Sequence, residues 1–273
     1  MSPKPLWIVV GYGRMGAALA HGLRGHAEVR VGTRPGGSRR AARAARFGAP
    51  SPSDWQRATG VLLAVPDDSV RDVAADIAPL CGGKAVLVHC AGALTLRPLR
   101  TRPLMERGSL HPLCAVSSRG DTLAGHGAAI AGSSPGVIRR LGELCRHLGL
   151  FAFQVPEKNR GRYHAAAVLA AGGMVTLAAC AVGVAKQAGL SRRQAEQALF
   201  RLAADSLQGA RLRGVSQALT GPWVRGDVRT TATHLRALSR NPRALYSALA
   251  EQSLGLLPKP SRQRLAKLLK PTR

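Results

Sequence analysis

Acidic residues are scarce in this chain. Fourteen aspartates and glutamates face 40 lysines and arginines over 273 residues, a formal net charge of +26. Lysine is scarce as well, standing only at Lys4, Lys84, Lys158, Lys186, Lys259, Lys267 and Lys270, so arginine carries the charge. Codon bias produces such Arg- and Ala-rich chains, and a basic surface also draws in small anions. The arginines form no single block, and three Trp, three Tyr and four Phe leave little to stack on bases. Specific nucleic-acid binding is therefore not expected, and any contact is weak and nonspecific. Cysteine is limited to Cys81, Cys90, Cys114, Cys145 and Cys180, with no C-x-x-C, which argues against a zinc site. The odd number of thiols, and a strand that starts within a few residues of Met1 where a leader would stand, point to a reducing cytoplasm.

Charge is absent altogether from residues 165–185, "AAAVLAAGGMVTLAACAVGVA". The stretch is long enough to cross a bilayer, but Ala and Gly drive insertion weakly beside Leu or Phe. A helix that is apolar all round also serves as a central helix or a subunit interface. A buried helix, and no membrane span, is expected.

Apolar residues at 45% and charged residues at 20% mark an ordinary globular chain, long enough for one large domain or two ordinary ones. Short apolar runs predict strands at 6–10, 28–34, 60–65, 84–90, 127–132 and 151–155, with helices at 14–24, 38–48, after Pro66 and over 135–150. Strands alternating with helices give a doubly wound, mostly parallel α/β sheet. From 157 onward no strand is expected, and helical stretches run at 157–189, 191–213, 228–239, 242–255 and 261–269. The reading is a dinucleotide-binding domain over 1–156 and an all-α domain over 157–273.

Residues 9–16, "VVGYGRMG", hold Gly11, Gly13 and Gly16 in a G-x-G-x-x-G frame between a strand and a helix. Gly11 permits the tight turn, Gly13 lets backbone approach a pyrophosphate, and Gly16 lets helix pack on strand. Arg14 and Met15 begin the helix whose N-terminus faces the anion. The end of the second strand selects the dinucleotide. NAD sites tend to place Asp or Glu there, whereas this chain has Thr33 and Arg34, then Ser38. Arg34 can stack on adenine and pair with a 2′-phosphate, so NADP is favoured over NAD. "AVPDDSV" (64–70) ends a central strand, where Val65, Pro66 and Asp67 border the nicotinamide or ribose. "HCAGAL" (89–94) ends the next strand and brings His89 and Gly92 to the same crevice. His111 in "SLHPL" is expected on the far side of a loop.

Taken in order, "VVGYGRMG", "VPDDSV", "HCAGAL", "SLHPL", "RYHAAAVLA" and "LTGPWVRGD" resemble Rossmann-like proteins with a C-terminal helical domain of unknown function. That group is similar to ketopantoate reductase, pyrroline-5-carboxylate reductase and the F420-dependent NADP oxidoreductases. The resemblance implies an NADP-linked reductase that is dimeric through its helical domain. It also implies that the long helix beginning near Lys158 borders the nicotinamide, with Lys158 as proton donor and His164 or His111 as rivals. Arg225 and Asp227 lie in the second specific segment, and Arg225 suits a substrate carboxylate. One departure stands out. Where relatives read "YHAAAVFASN", this chain has Ala171 and Gly172 in the Ser-Asn positions.

These readings converge on a cytoplasmic NADP-dependent oxidoreductase that transfers hydride to a carbonyl or imine carbon of a small, anionic metabolite, in the manner of ketopantoate reductase. Two other functions compete: a catalytically impaired NADP-binding regulator, suggested by Gly172, and a basic nucleic-acid binder on the same scaffold.

Overall fold

The computed structural model describes residues 4–32, 47–117 and 121–270. The chain divides into two compact units, residues 1–170 and 171–273.

The first unit is built on β1 (Leu6–Val10), β2 (Glu28–Gly32), β3 (Gly60–Leu63), β4 (Val86–His89), β5 (Glu106–Leu113), β6 (Gly127–Gly132) and β7 (Phe151–Gln154). They form one seven-stranded sheet in the order β2-β1-β3-β4-β5-β6-β7, parallel throughout except where β5 and β6 run antiparallel. Alternation along each strand sends successive side chains to opposite faces, and both faces are buried. In β1, Trp7 and Val9 enter one core with Leu62, Val86 and Val88, while Leu6, Ile8 and Val10 enter the other with Leu63 and Leu87. Helices α1 (Arg14–Gly22), α2 (Pro52–Arg57), α3 (Val70–Ile77), α4 (Pro135–His147) and α5 (Arg160–Val168) complete this unit. A capping box starts α2: Ser51 Oγ accepts from the Asp54 backbone N–H, and the Asp54 carboxylate accepts from the Ser51 N–H.

The fold class is as the sequence implies, with one strand added. Residues 106–113 form β5, a strand the pattern does not name, so His111 is a strand residue. Pro112 and the polar start of "ERGSLHPL" hide this strand from a pattern search. The division between units also falls later than the change of pattern at 156. The turn over Glu157–Asn159 and α5 are tied to the sheet end by bonds from Glu157, Arg160 and Tyr163 to β5 and to the loop after β4.

The second unit is helical: α6 (Met174–Gln187), α7 (Arg192–Arg213), α8 (Val215–Ala218), α9 (Pro222–Arg225), α10 (Val228–Ala237), α11 (Arg240–Ser253) and α12 (Lys259–Leu269). Its core is small, formed by Ala250, Leu257 and Leu265 with Leu219, Trp223 and Leu254 against them. The long helix expected from residue 157 is interrupted by one π turn at Leu169–Gly173, "LAAGG", where paired glycines relax the backbone. Its apolar stretch is long enough to cross a membrane, yet only 6% of that window is buried. The cover expected for this helix is not supplied by the described residues.

Candidate functional site

The glycine turn is dictated by contact. Gly11 has φ +93°, a conformation that side chains disfavour, and a Cβ there would collide with the Ala64 carbonyl on β3's exit. A Cβ at Gly16 would strike the Gly11 carbonyl, so the third glycine lets α1 seat directly on the turn. Gly13 differs. It is the extended N-cap of α1, it has no side chain to cap the helix, and a Cβ built on it meets nothing within 4 Å. The first turn of α1 holds no acid. Backbone N–H groups at the positive end of a helix, with no side-chain cap among the described residues and open space before the glycine, form a seat for an anion. These residues fit the pyrophosphate of a dinucleotide. Arg14 is exposed at this end, Met15 packs partly into the core, and Val65 lies against Gly11 from the segment after β3. Pro66 opens the short turn Asp67–Ser69, with Asp67 exposed on it. Thr33, Arg34 and Ser38 lie outside the described residues.

Register carries the site along the sheet. Val10 pairs with Leu63, Leu63 with His89, and His89 with Ser109, so one row of strand ends runs from the glycine turn to β5. Ligands of such sheets lie across this row, beyond the carboxyl ends of the strands.

At its β4–β5 end the row carries a polar cluster. Arg160, the first residue of α5, is the largest fully buried side chain of the described residues, at 1% exposure. Its Nη1 donates to Ser109 Oγ at 2.5 Å and its Nε to the Gly92 carbonyl at 3.5 Å, while Nη2 is buried without a partner. No carboxylate lies within ion-pair distance of it among the described residues. Glu157, the nearest acid in sequence, accepts the Leu96 N–H through Oε1 at 2.8 Å. On β5, His111 Nδ1 lies 2.7 Å from the Tyr163 hydroxyl, and its ring meets that of His164 edge-on at 5.7 Å. Gly92 is pressed against both imidazoles. A Cβ there would strike the His164 ring and lie 2.9 Å from His111 Nε2.

Burial, then the charges of His164 and Arg160, push the His111 imidazole down to about 4. His89 is also pushed down to about 4, chiefly by burial and then by Arg160 and His111. Both rings are neutral at physiological pH. Burial raises the Tyr163 phenol, and the Arg160 charge opposes that rise. Burial lowers Arg160 itself.

The structure therefore brings His111, His164 and Gly92 together. It does not bring Lys158 to them: Lys158 is exposed on the turn before α5, with no contact to the cluster among the described residues. His89, expected to face substrate, is fully buried, and its Nε2 donates to the Thr95 carbonyl at 3.0 Å, which holds the loop after β4. In the second unit Asp227 caps α10, accepting from the Thr230 N–H at 3.0 Å and the Thr230 hydroxyl at 2.7 Å, and the Arg225 carbonyl accepts from Arg264 Nη2 at 3.1 Å. That loop is pinned by its own bonds. Arg160 and Ser109 escape a sequence reading, because "EKNRGRYH" reads as a solvated helix start.

The sheet order, the glycine turn and the all-helical second unit define a Rossmann-like protein with a C-terminal helical domain. Residues 7–91 match the family model described as NADP oxidoreductase, coenzyme F420-dependent, and residues 127–253 match a domain of unknown function, DUF2520. None of the curated proteins matches the chain. Among solved structures, a putative NADP oxidoreductase from Bacteroides fragilis is similar at 20% identity and a TM-score of 0.71, covering 91% of this chain and 97% of that one. A Thermotoga maritima protein is similar at 23% and 0.72, covering 92% and 97%. Pyrroline carboxylate reductase from Plasmodium falciparum, solved with NADP bound, is similar at 14% and 0.60, covering 94% and 99%. Residues 7–91 are thus similar to NADP oxidoreductases, and the solved structures share the fold of the chain.

Proposed function

We propose that this chain is an NADPH-dependent reductase acting on a C=O or C=N bond of a small, anionic metabolite. The observation that carries this reading is the uncapped start of α1 behind Gly13, on the same row of strand ends as the neutral His111–Tyr163 pair. When bound, the cofactor supplies a hydride. The chain's part is to seat the pyrophosphate on the α1 N-terminus, border the reacting end from Val65, Pro66 and Gly92, and deliver a proton. The excess of positive charge favours an anionic substrate by steering. Ketopantoate-like substrates belong to this class. Oxidation of NADPH with a panel of 2-oxo acids and cyclic imines tests it; binding of NADPH with no turnover on any member favours the regulatory reading that Gly172 suggests.

We also propose that the helical unit pairs with a second copy of the chain. Support comes from α6, whose one charge is Lys186 and whose one buried residue is Val182, with an apolar groove of about 460 Å³ beside it lined by Leu177, Cys180, Leu199, Leu245 and Leu249. Light scattering should give twice the 28.6 kDa chain mass. A monomer, or partition into detergent, contradicts it.

A further inference from the structure

Arg160 occupies a costly position. A charge taken out of water costs several kcal/mol unless it is paired. This one has no carboxylate partner among the described residues, keeps Nη2 unsatisfied, and stands at the positive end of α5, where the helix dipole opposes it. Charges so placed contribute little to stability and are found where a site needs their field.

The groups within that field are few. Around Tyr163 stand Arg160, one helical turn before it, and His164 on its own helix, His111 on β5 and the Phe153 ring from β7; Glu157 on the preceding turn and His89 on β4 share the influence of Arg160. Burial, and then this cation, keeps the His111 and His89 imidazoles neutral, and a neutral imidazole is a poor proton donor. The same cation favours the ionised form of a phenol. Tyr163 is also half-buried, whereas His89 and Arg160 are sealed from solvent.

We propose that Tyr163 is the proton donor of the reduction and that Arg160 is the positioning residue that makes it one, an inference that rests on the reductase reading above. Hydride addition to C=O or C=N leaves a lone pair on oxygen or nitrogen. The Tyr163 O–H bond breaks and its proton forms the new O–H or N–H bond. The electron pair stays on the phenolate oxygen, where His111, in the tautomer that carries its proton on the Nδ1 lying 2.7 Å away, and the Arg160 charge hold it until water returns a proton.

The test reads the phenol without cofactor or substrate. Phenolate absorbance is titrated in the wild type and in Tyr163→Phe, and the difference isolates Tyr163 from Tyr12 and Tyr246. Arg160→Met should raise the Tyr163 midpoint by about one pH unit, and Arg160→Lys should restore most of it. An unchanged midpoint in Arg160→Met overturns the proposal. If Arg160→Met does not fold, Arg160→Gln takes its place with the same two outcomes; His111→Leu should also raise the midpoint, and an unmoved one there overturns the hold of His111 on the phenolate. With NADPH and the panel of 2-oxo acids and cyclic imines, Tyr163→Phe should cut turnover at least about 100-fold with NADPH affinity unchanged. Full turnover overturns the donor role. Failure of the wild type to bind NADPH overturns the reductase reading, and with it the donor role, while the titration still decides the Arg160–Tyr163 coupling.

Discussion

Arg160 Nη1 donates to the Ser109 hydroxyl at 2.5 Å, joining the first residue of α5 to the middle of β5 beneath the glycine at position 92. This bond leaves the guanidinium with one good acceptor. Ser109→Ala should therefore destabilise the protein by about 2 kcal/mol in denaturant melts, because a charged donor loses its partner in a buried place. A change below about 0.5 kcal/mol would mean that the guanidinium finds another acceptor.

The three glycines should separate by substitution. Gly11→Ala and Gly16→Ala place a Cβ against backbone carbonyls and should lower the melting temperature sharply. Gly13→Ala meets nothing within 4 Å and should fold normally while weakening NADPH binding at least about tenfold, since the methyl enters the space before the α1 N-terminus. Equal NADPH affinity in Gly13→Ala would remove the pyrophosphate from that seat.

Stability should fall with acid in a defined window. His89 and His111 titrate near 4 in the folded chain against an ordinary value near 6.5. Between those values the unfolded state binds more protons, so each histidine contributes a stability loss of about 1 kcal/mol per pH unit on going down through the window. Asp54 acts lower. Burial alone would raise it, but the Ser51 N–H, Arg57 and Arg30 hold it near 2, so its stabilising bonds survive until pH falls well below 4. His89→Asn should flatten the slope between pH 6.5 and 4; an unaltered slope would place the proton uptake elsewhere.

Lys158 and Tyr163 make opposite demands on one experiment. Lys158 is exposed on the turn before α5, so Lys158→Ala should cost turnover far less than Tyr163→Phe does. The reverse order would move proton delivery to the lysine that the family resemblance suggests.

Much of this architecture is legible in the residues. Glycine spacing, apolar strands of four to six residues and the change of period after Val155 report local chemistry, and local chemistry is what a sequence displays. β5 is not legible, because Pro112 and Arg107 break its pattern and only its pairing with β4 and β6 makes it a strand. The cluster is half legible: His111 and His164 draw attention as histidines, but the burial of Arg160 depends on three segments meeting, at residues 92, 109 and 160, and no spacing encodes that. His89 misleads for the same reason, since a histidine ending a strand looks available until the loop over 90–96 closes on it.

The central claim is that the glycine turn seats NADP. Thermal stabilisation by NADPH and by NADH, measured in the wild type and in Gly13→Ala, tests it most directly. NADPH should raise the wild-type melting temperature well above any effect of NADH, and Gly13→Ala should lose that rise. Equal shifts with both dinucleotides would contradict the NADP assignment, and no shift with either would contradict the claim itself.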